Sequence, residues 1–395
     1  MHSECRRTAA EADKNSRGFE RLSKRTEPDS TIPLKPSLNI QENISLAQFT
    51  TLAIGGRARY FVRAETEEQV FETANFANEN DLKLFILGGG SNVLIADSGF
   101  DGVVLQIAIR GIKTTDPQIS DFRSEIENVP ESKTGDSQLI VVGAGEDWDK
   151  FVRYCVDHNL AGVECLSGIP GFVGGTPVQN VGAYGQEVAE TIVEVRCFDR
   201  TSGEVITLSN SECGFSYRTS IFNSTHRERF IVLGVTFELR PGGKPKLVYK
   251  DLIEHFANQK PALSEVRDAV LKIRRSKSMV IDANDPNSKS AGSFFKNPVV
   301  SREKLKELRT LFGSIPSYEF GEMFKIPAAW LIENAGFHKG FALGEAGISS
   351  NHSLALINRG HASADEIVVL SERIKEALAA KFGIELHPEP IFIGF

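Results

Sequence analysis

Apolar positions in this chain switch between helical and strand periods, and the switches mark its elements. Val70, Phe71, Ala74 and Ala77 fall on one helical face, and Thr66-x-x-Gln69 supplies a capping box in front of them. The apolar run at 83–87 predicts a buried strand that ends in Gly88-Gly89-Gly90-Ser91-Asn92. Further short strands are expected at 93–96, 103–107 and 139–142, and a helix at 147–158. Alternation at 192–198 meets 204–208 through a turn at 199–203, which predicts a hairpin. Residues 230–239 form another expected strand, and Pro241-Gly242-Gly243 marks a boundary. Two helices stand out beyond it. One spans 301–312, with Leu305, Leu308, Leu311 and Phe312 on one face. The other starts at the box Ser363-x-x-Glu366, buries Ile367, Leu370, Ile374 and Leu378, and closes at Gly383. A last strand is expected at 390–393. The polar stretch 114–138 has neither period and reads as an inserted surface loop. Strands and helices alternate irregularly without an internal repeat, so the predicted class is α+β and not one doubly wound sheet.

A chain of 395 residues exceeds a single small core. Residues 1–38 read as a disordered extension. They lack the apolar run of a signal peptide, and their basic residues are matched by acidic ones. Two domains follow, 39–241 and 242–395. A net charge of −7 gives no basic footprint, so no nucleic-acid partner is expected. No apolar run reaches membrane-spanning length, so no span is expected. The five cysteines are odd in number and contain no CxxC pair, which argues against a disulfide framework and for a reducing compartment, the cytoplasm. No two histidines have HxH or HxxxH spacing, and no metal is expected. The expected state is monomeric, with no obligate protein partner.

Glycine usage changes this picture. The cluster at 88–92 follows a strand, but Val93 stands where the last glycine of GxGxxG would be, and no GK[ST] follows. It is either a backbone nest for a pyrophosphate or a tight turn. In the second cluster, Gly168, Gly171, Gly174, Gly175, Gly182 and Gly185 stand beside Gln179, Asn180 and Tyr184. Ordering such a loop costs much entropy. A large flat cofactor against bare backbone explains it; an ordinary long surface loop is the alternative. The stretch NSKSAGSFFKNP (287–298) sets Ser293 among small residues, with Phe294 and Phe295 expected to wall the site from water. No GxSxG elbow surrounds Ser293, which argues against a hydrolase triad. Tyr217, Arg218, Tyr249, Arg274, Lys277, Lys296, Asn297 and Glu389 are further candidates, but each has a bland reading when taken alone, Arg218 as a structural ion-pair member and Glu389 as a solvated residue near the terminus. Cys165 and Cys213 read as core thiols, and His352 as a loop or core residue.

Seven ordered segments carry a resemblance: FTTLAIGG (49–56), LGGGSNVL (87–94), VGAGE (142–146), GIPGFVGGTPVQNVGAYG (168–185), FSYRTSIF (215–222), AGSFFKNP (291–298) and HPEPIFIG (387–394). Together they resemble the UDP-N-acetylmuramate dehydrogenase family, also called UDP-N-acetylenolpyruvoylglucosamine reductase, over residues 40–395. The resemblance implies a vanillyl-alcohol-oxidase-type FAD-binding fold at 39–241, in two α+β subdomains, and a smaller α+β substrate-binding domain at 242–395. It implies non-covalent FAD, NADPH as co-substrate, and reduction of an enolpyruvyl UDP-sugar to UDP-N-acetylmuramate, a peptidoglycan precursor. FAD would lie against Thr51, Gly88, Gly89, Gly90, Ser91, Asn92, Val93, Gly168, Ile169, Pro170, Gly174, Gly175, Thr176, Gln179, Asn180, Gly182, Ala183, Tyr184 and Arg274. Tyr217, Tyr249, Lys277, Lys296 and Asn297 would contact substrate. Ser293 would be the proton donor, and Arg218 and Glu389 the other two catalytic positions. The chain departs from the family at Ile391, where many relatives carry a basic residue, at Ala329, and in the lengths of 279–288 and 337–340. The alternatives are an FAD oxidase of the same fold and a silent UDP-sugar-binding regulator. Neither glycine loop holds a histidine to attach flavin, which counts against the first. Intact Ser293, Arg218 and Glu389 count against the second.

Overall fold

Strands with one or both faces apolar build two sheets in the first half of the chain. The computed structural model describes residues 38–114, 137–257 and 259–395, within the compact unit Lys35–Phe395. Nearly all of the expected extension at 1–38, and of the expected loop at 114–138, lies outside the described residues. The first sheet has the order Gln41–Ser45, Arg57–Ala64, Phe100–Ile107, Lys83–Leu87; its first pair is antiparallel and the others parallel. Helix α1 (Glu67–Glu79) covers it, with Thr66 accepting from the Gln69 amide as the capping box predicts. Val70, Thr73, Ala74, Phe76 and Ala77 are buried, and Phe76 meets Tyr60 edge-on.

The second sheet runs Glu204–Ser209, Ile192–Asp199, Phe230–Pro241, Gln138–Gly143, Ile112–Thr114, and every pair is antiparallel. Thr114 pairs with Ile140, and Gln138 Nε2 donates to Thr114 Oγ1 at 2.5 Å. The described residues on either side of 115–136 therefore meet at one closed rung. Helix α2 (Trp148–Asp157), capped by Asp147, buries Trp148 and Phe151 against Phe237 of the long strand.

Among the described residues five helices follow, not the two expected: α3 (Lys250–Phe256), α4 (Leu263–Ser276), α5 (Arg302–Phe312), α6 (Ala328–Asn334) and α7 (Ala364–Phe382). In α4, Leu263, Val266, Ala269 and Val270 are buried at helical spacing. On α5, Leu305 and Leu308 are buried, but Leu311 is 65% exposed, because the buried stripe is narrower than the apolar one. Helix α7 has the expected Ser363–Glu366 box and a left-handed Gly383 at its C-cap. Its Ile367, Leu370, Ile374 and Leu378 join Leu331, Phe294 and Phe295 in one core cluster. The last strand, Ile391–Ile393, pairs in parallel with Val93–Ile95 and so brings the end of the chain back to the first glycine loop. Among the described residues no helix is long and apolar enough to cross a membrane. Cys155, Cys165, Cys197 and Cys213 are buried and free.

Candidate active site

The two glycine loops touch backbone to backbone. A Cβ at Gly89 would stand 2.7 Å from Gly171 Cα, and one at Gly90, whose φ is +63°, would stand 1.8 Å from the Phe49 carbonyl oxygen. These glycines are required by close approach. Gly88 and Gly175 differ, since a Cβ there would meet nothing within 4 Å. Their bare backbone opens on a cavity of about 960 Å³. Close approach thus explains Gly89 and Gly90, whereas Gly88 and Gly175 leave bare backbone on the cavity.

The chain's last strand then places the carboxylate of Glu389. Ile391 N donates to Asn92 O at 3.0 Å, and Asn92 Nδ2 donates to Glu389 O at 3.3 Å. Glu389 N donates to Phe294 O, one residue past Ser293, at 2.8 Å. Phe294 N in turn donates to Leu354 O at 2.8 Å. The Ser293 loop is thus held on both sides by backbone bonds. Phe294 and Phe295 do not wall the cavity as expected: both are buried in the C-terminal core and anchor the loop from behind. Core burial of two aromatics outweighs any gain from lining a wet cavity.

Arg218, itself at φ +55°, reaches Glu389 with Nε to Oε1 at 3.1 Å, and its Nη2 donates to Gly182 O at 2.7 Å. Burial raises the pKa of Glu389, with Arg218 and Lys296 opposing it. The pair and Ser293 line the same cavity. Tyr217, Tyr249, Lys277, Lys296 and Asn297 line it too. Asn297 Oδ1 is already committed to Ala328 N, at the start of α6, at 2.8 Å. Lys277 lies 3.6 Å from Asp251 of α3. Tyr184 meets Tyr249 edge-on at 5.2 Å, and burial pushes its hydroxyl up to about 12.

Of the nineteen residues expected against the cofactor, Thr51, Gly168 and Asn180 do not line the cavity. Thr51 instead ties the loops together: its N donates to Gly90 O at 3.1 Å and its Oγ1 to Ser290 O at 2.6 Å. A Cβ at Gly168 would press on Leu271. Asn180 is buried, holding Glu187 and Ser216 O. Several cavity residues were not foreseen: Arg200, Asn223, Arg227, Glu187, Lys325 and His352. His352, read as a loop or core residue, faces the cavity, and burial with Lys277, Lys339 and Arg274 around it pulls its pKa to about 4. The motif beside it, SSNHSLALIN, was the one signal for it; lone charges on strands and turns offered none.

The cavity fits a large anionic group. Arg200 Nε and Arg274 Nε are buried and have no hydrogen-bond partner, although both side chains line it. A bound phosphate or ring would complete them. Among the described residues no group of three or more His, Cys, Asp or Glu could hold a metal.

Comparison with known families agrees with this chemistry in two steps. Residues 58–209 match the profile of an FAD binding domain, so the class is a flavin-binding oxidoreductase of α+β fold. Residues 285–393 match the profile of the UDP-N-acetylenolpyruvoylglucosamine reductase C-terminal domain. The reductase of that name from Thermobifida fusca is 41% identical over 89% of this chain and 97% of its own length. The one from Streptomyces coelicolor is 38% identical over 98% of this chain and 99% of its own. The crystal structure of the Thermus caldophilus reductase shares the fold at 24% identity, with a TM-score of 0.57 over 90% of this chain and 99% of that one. The chain belongs to the UDP-N-acetylenolpyruvoylglucosamine reductase family.

Proposed function

We propose that the protein takes reducing equivalents from NADPH onto non-covalently held FAD and reduces UDP-N-acetylenolpyruvoylglucosamine to UDP-N-acetylmuramate. The observation that carries this reading is the Arg218–Glu389 pair, held beside Ser293 by the Glu389–Phe294 backbone bond in a glycine-lined cavity. When bound, FAD supplies hydride to the terminal vinyl carbon of the enol ether. Negative charge then develops on the substrate carboxylate. Arg218 stabilises that charge with donors fixed by Gly182 and Glu389. Glu389, with its pKa raised by burial, orients the protonated side of the group. The Ser293 hydroxyl donates a proton to the adjacent carbon, and a proton from solvent restores it. Gly88, Gly175 and the two unpaired guanidinium nitrogens would hold the flavin nucleotide. The division of the chain at 241/242 into FAD-binding and substrate-binding domains, and a monomeric state, belong to the same proposal.

Anaerobic mixing of the yellow protein, first with NADPH and then with substrate, tests it. NADPH should bleach the flavin and the enolpyruvyl sugar nucleotide should restore its colour. Ser293→Ala should leave bleaching intact and slow recolouring by about 10²- to 10⁴-fold, the usual worth of a positioned proton donor. Flavin that recolours as fast without substrate, or equal loss of both steps in the variant, would overturn the mechanism.

A further inference from the structure

Lys325 has no role in the steps above, yet it lines the same cavity. It ends the strand Met323–Lys325, which pairs with Val299–Val300, just beyond Asn297, and with Tyr318–Phe320. Its ammonium stands 3.4 Å from the centroid of the Tyr217 ring and 4.4 Å from that of Phe320, and the side chain lines the cavity. Two ring faces attract a cation, but they do not replace the hydrogen bonds that three N–H donors lose on leaving water. Among the described residues no carboxylate pairs with Lys325; the charged groups that act on it are Glu187, whose Oε2 accepts from Asn180, and Arg218. The cation is therefore half-solvated, aromatic-backed and open towards the cavity.

The neighbouring guanidinium is not open in this way. Arg218 spends Nε on Glu389 and one Nη2 donor on Gly182 O, and Glu389 offsets much of its charge. An anion that arrives at this pair needs a further positive group to make its binding favourable, and Lys296, which also lines the cavity, already acts on the Glu389 carboxylate. We infer that Lys325 is that group, a specificity-determining residue whose ammonium binds the carboxylate of the three-carbon substituent on the sugar, beside Arg218. The inference rests on the proposed function and deepens it. It assigns the discrimination between sugar nucleotides with and without that carboxylate to a lysine packed on Tyr217.

The test compares two nucleotides that differ only in the substituent. UDP-N-acetylmuramate carries the carboxylate and UDP-N-acetylglucosamine lacks it. Titrated into the FAD-loaded protein, Lys325→Met should bind the first about 10- to 100-fold more weakly, the worth of one hydrogen bond between charged groups. Binding of the second should change by less than about 2-fold, within the scatter of a substitution that touches no contact. Equal weakening of both, or of neither, would overturn the inference. If Lys325→Met does not retain flavin, Lys325→Gln is read by the same ratio. A wild-type protein that does not favour UDP-N-acetylmuramate over UDP-N-acetylglucosamine would instead count against the proposed function itself.

Discussion

His352 shows what burial among cations does to a titratable residue. Burial, Lys277, Lys339 and Arg274 all disfavour its imidazolium and pull its pKa from 6.5 to about 4. Its folded value is depressed, so the native state refuses a proton that the unfolded chain accepts. Stability is untouched above about pH 6.5 and falls as pH drops from there towards about 4. The loss amounts to roughly 3 kcal/mol by the lower end. Replacing His352 by Gln removes that titration. Urea unfolding of the FAD-loaded protein should then show a smaller drop between about pH 7.5 and about pH 4.5 in the variant than in the wild type, by up to this amount. Equal drops would mean that His352 is solvated. Residues of this kind were the least legible in the sequence. Ser293, Arg218 and Glu389 could be named because each sits in a segment that carries the family resemblance. His352, Lys325 and Arg200 are single polar residues whose meaning comes only from what the fold packs around them.

Elements were more legible where one period dominates. The first helix, the strand Lys83–Leu87, the hairpin and α7 all appear within a residue or two of their expected places, because caps and alternation act locally. The short helices α3 and α6, of seven residues each, and the two- and three-residue strands between 299 and 358 escaped, since so few residues cannot establish a period. The last strand was foreseen, but its partner was not. Nothing local says that Ile391–Ile393 joins Val93–Ile95 across the whole length of the chain. That pairing positions both the first glycine loop and Glu389. Ile391→Pro deletes the donor to Asn92 O, leaves that carbonyl unpaired and should cost about 1 to 3 kcal/mol. It should also lower the ratio of flavin to protein absorbance after purification, since Asn92 lines the cavity. A variant with a lower melting temperature but full flavin content would separate the strand's structural role from the site.

At the scale of the molecule, one cavity draws its wall from residues as far apart in sequence as Leu84 and Ile393. A ligand that fills it binds only when both regions are folded, so its binding free energy stabilises both together. The protein carries its own reporters of this coupling, because its two tryptophans fall one in each region. Trp148 is buried in α2 beside Phe151 and Phe237. Trp330 lies in α6 against Phe382. Trp148→Phe leaves fluorescence to report the C-terminal region, and Trp330→Phe leaves it to report the FAD-binding region. Free FAD at about a hundred times its dissociation constant should stabilise the protein by about 2.7 kcal/mol. For a chain of this size that raises the melting midpoint by a few degrees. The two single-tryptophan proteins should show the same rise, measured against their own flavin-free forms. A rise seen by Trp148 and not by Trp330 would mean that the C-terminal wall, with Ser293 and Glu389, closes on the flavin too weakly to share its binding energy.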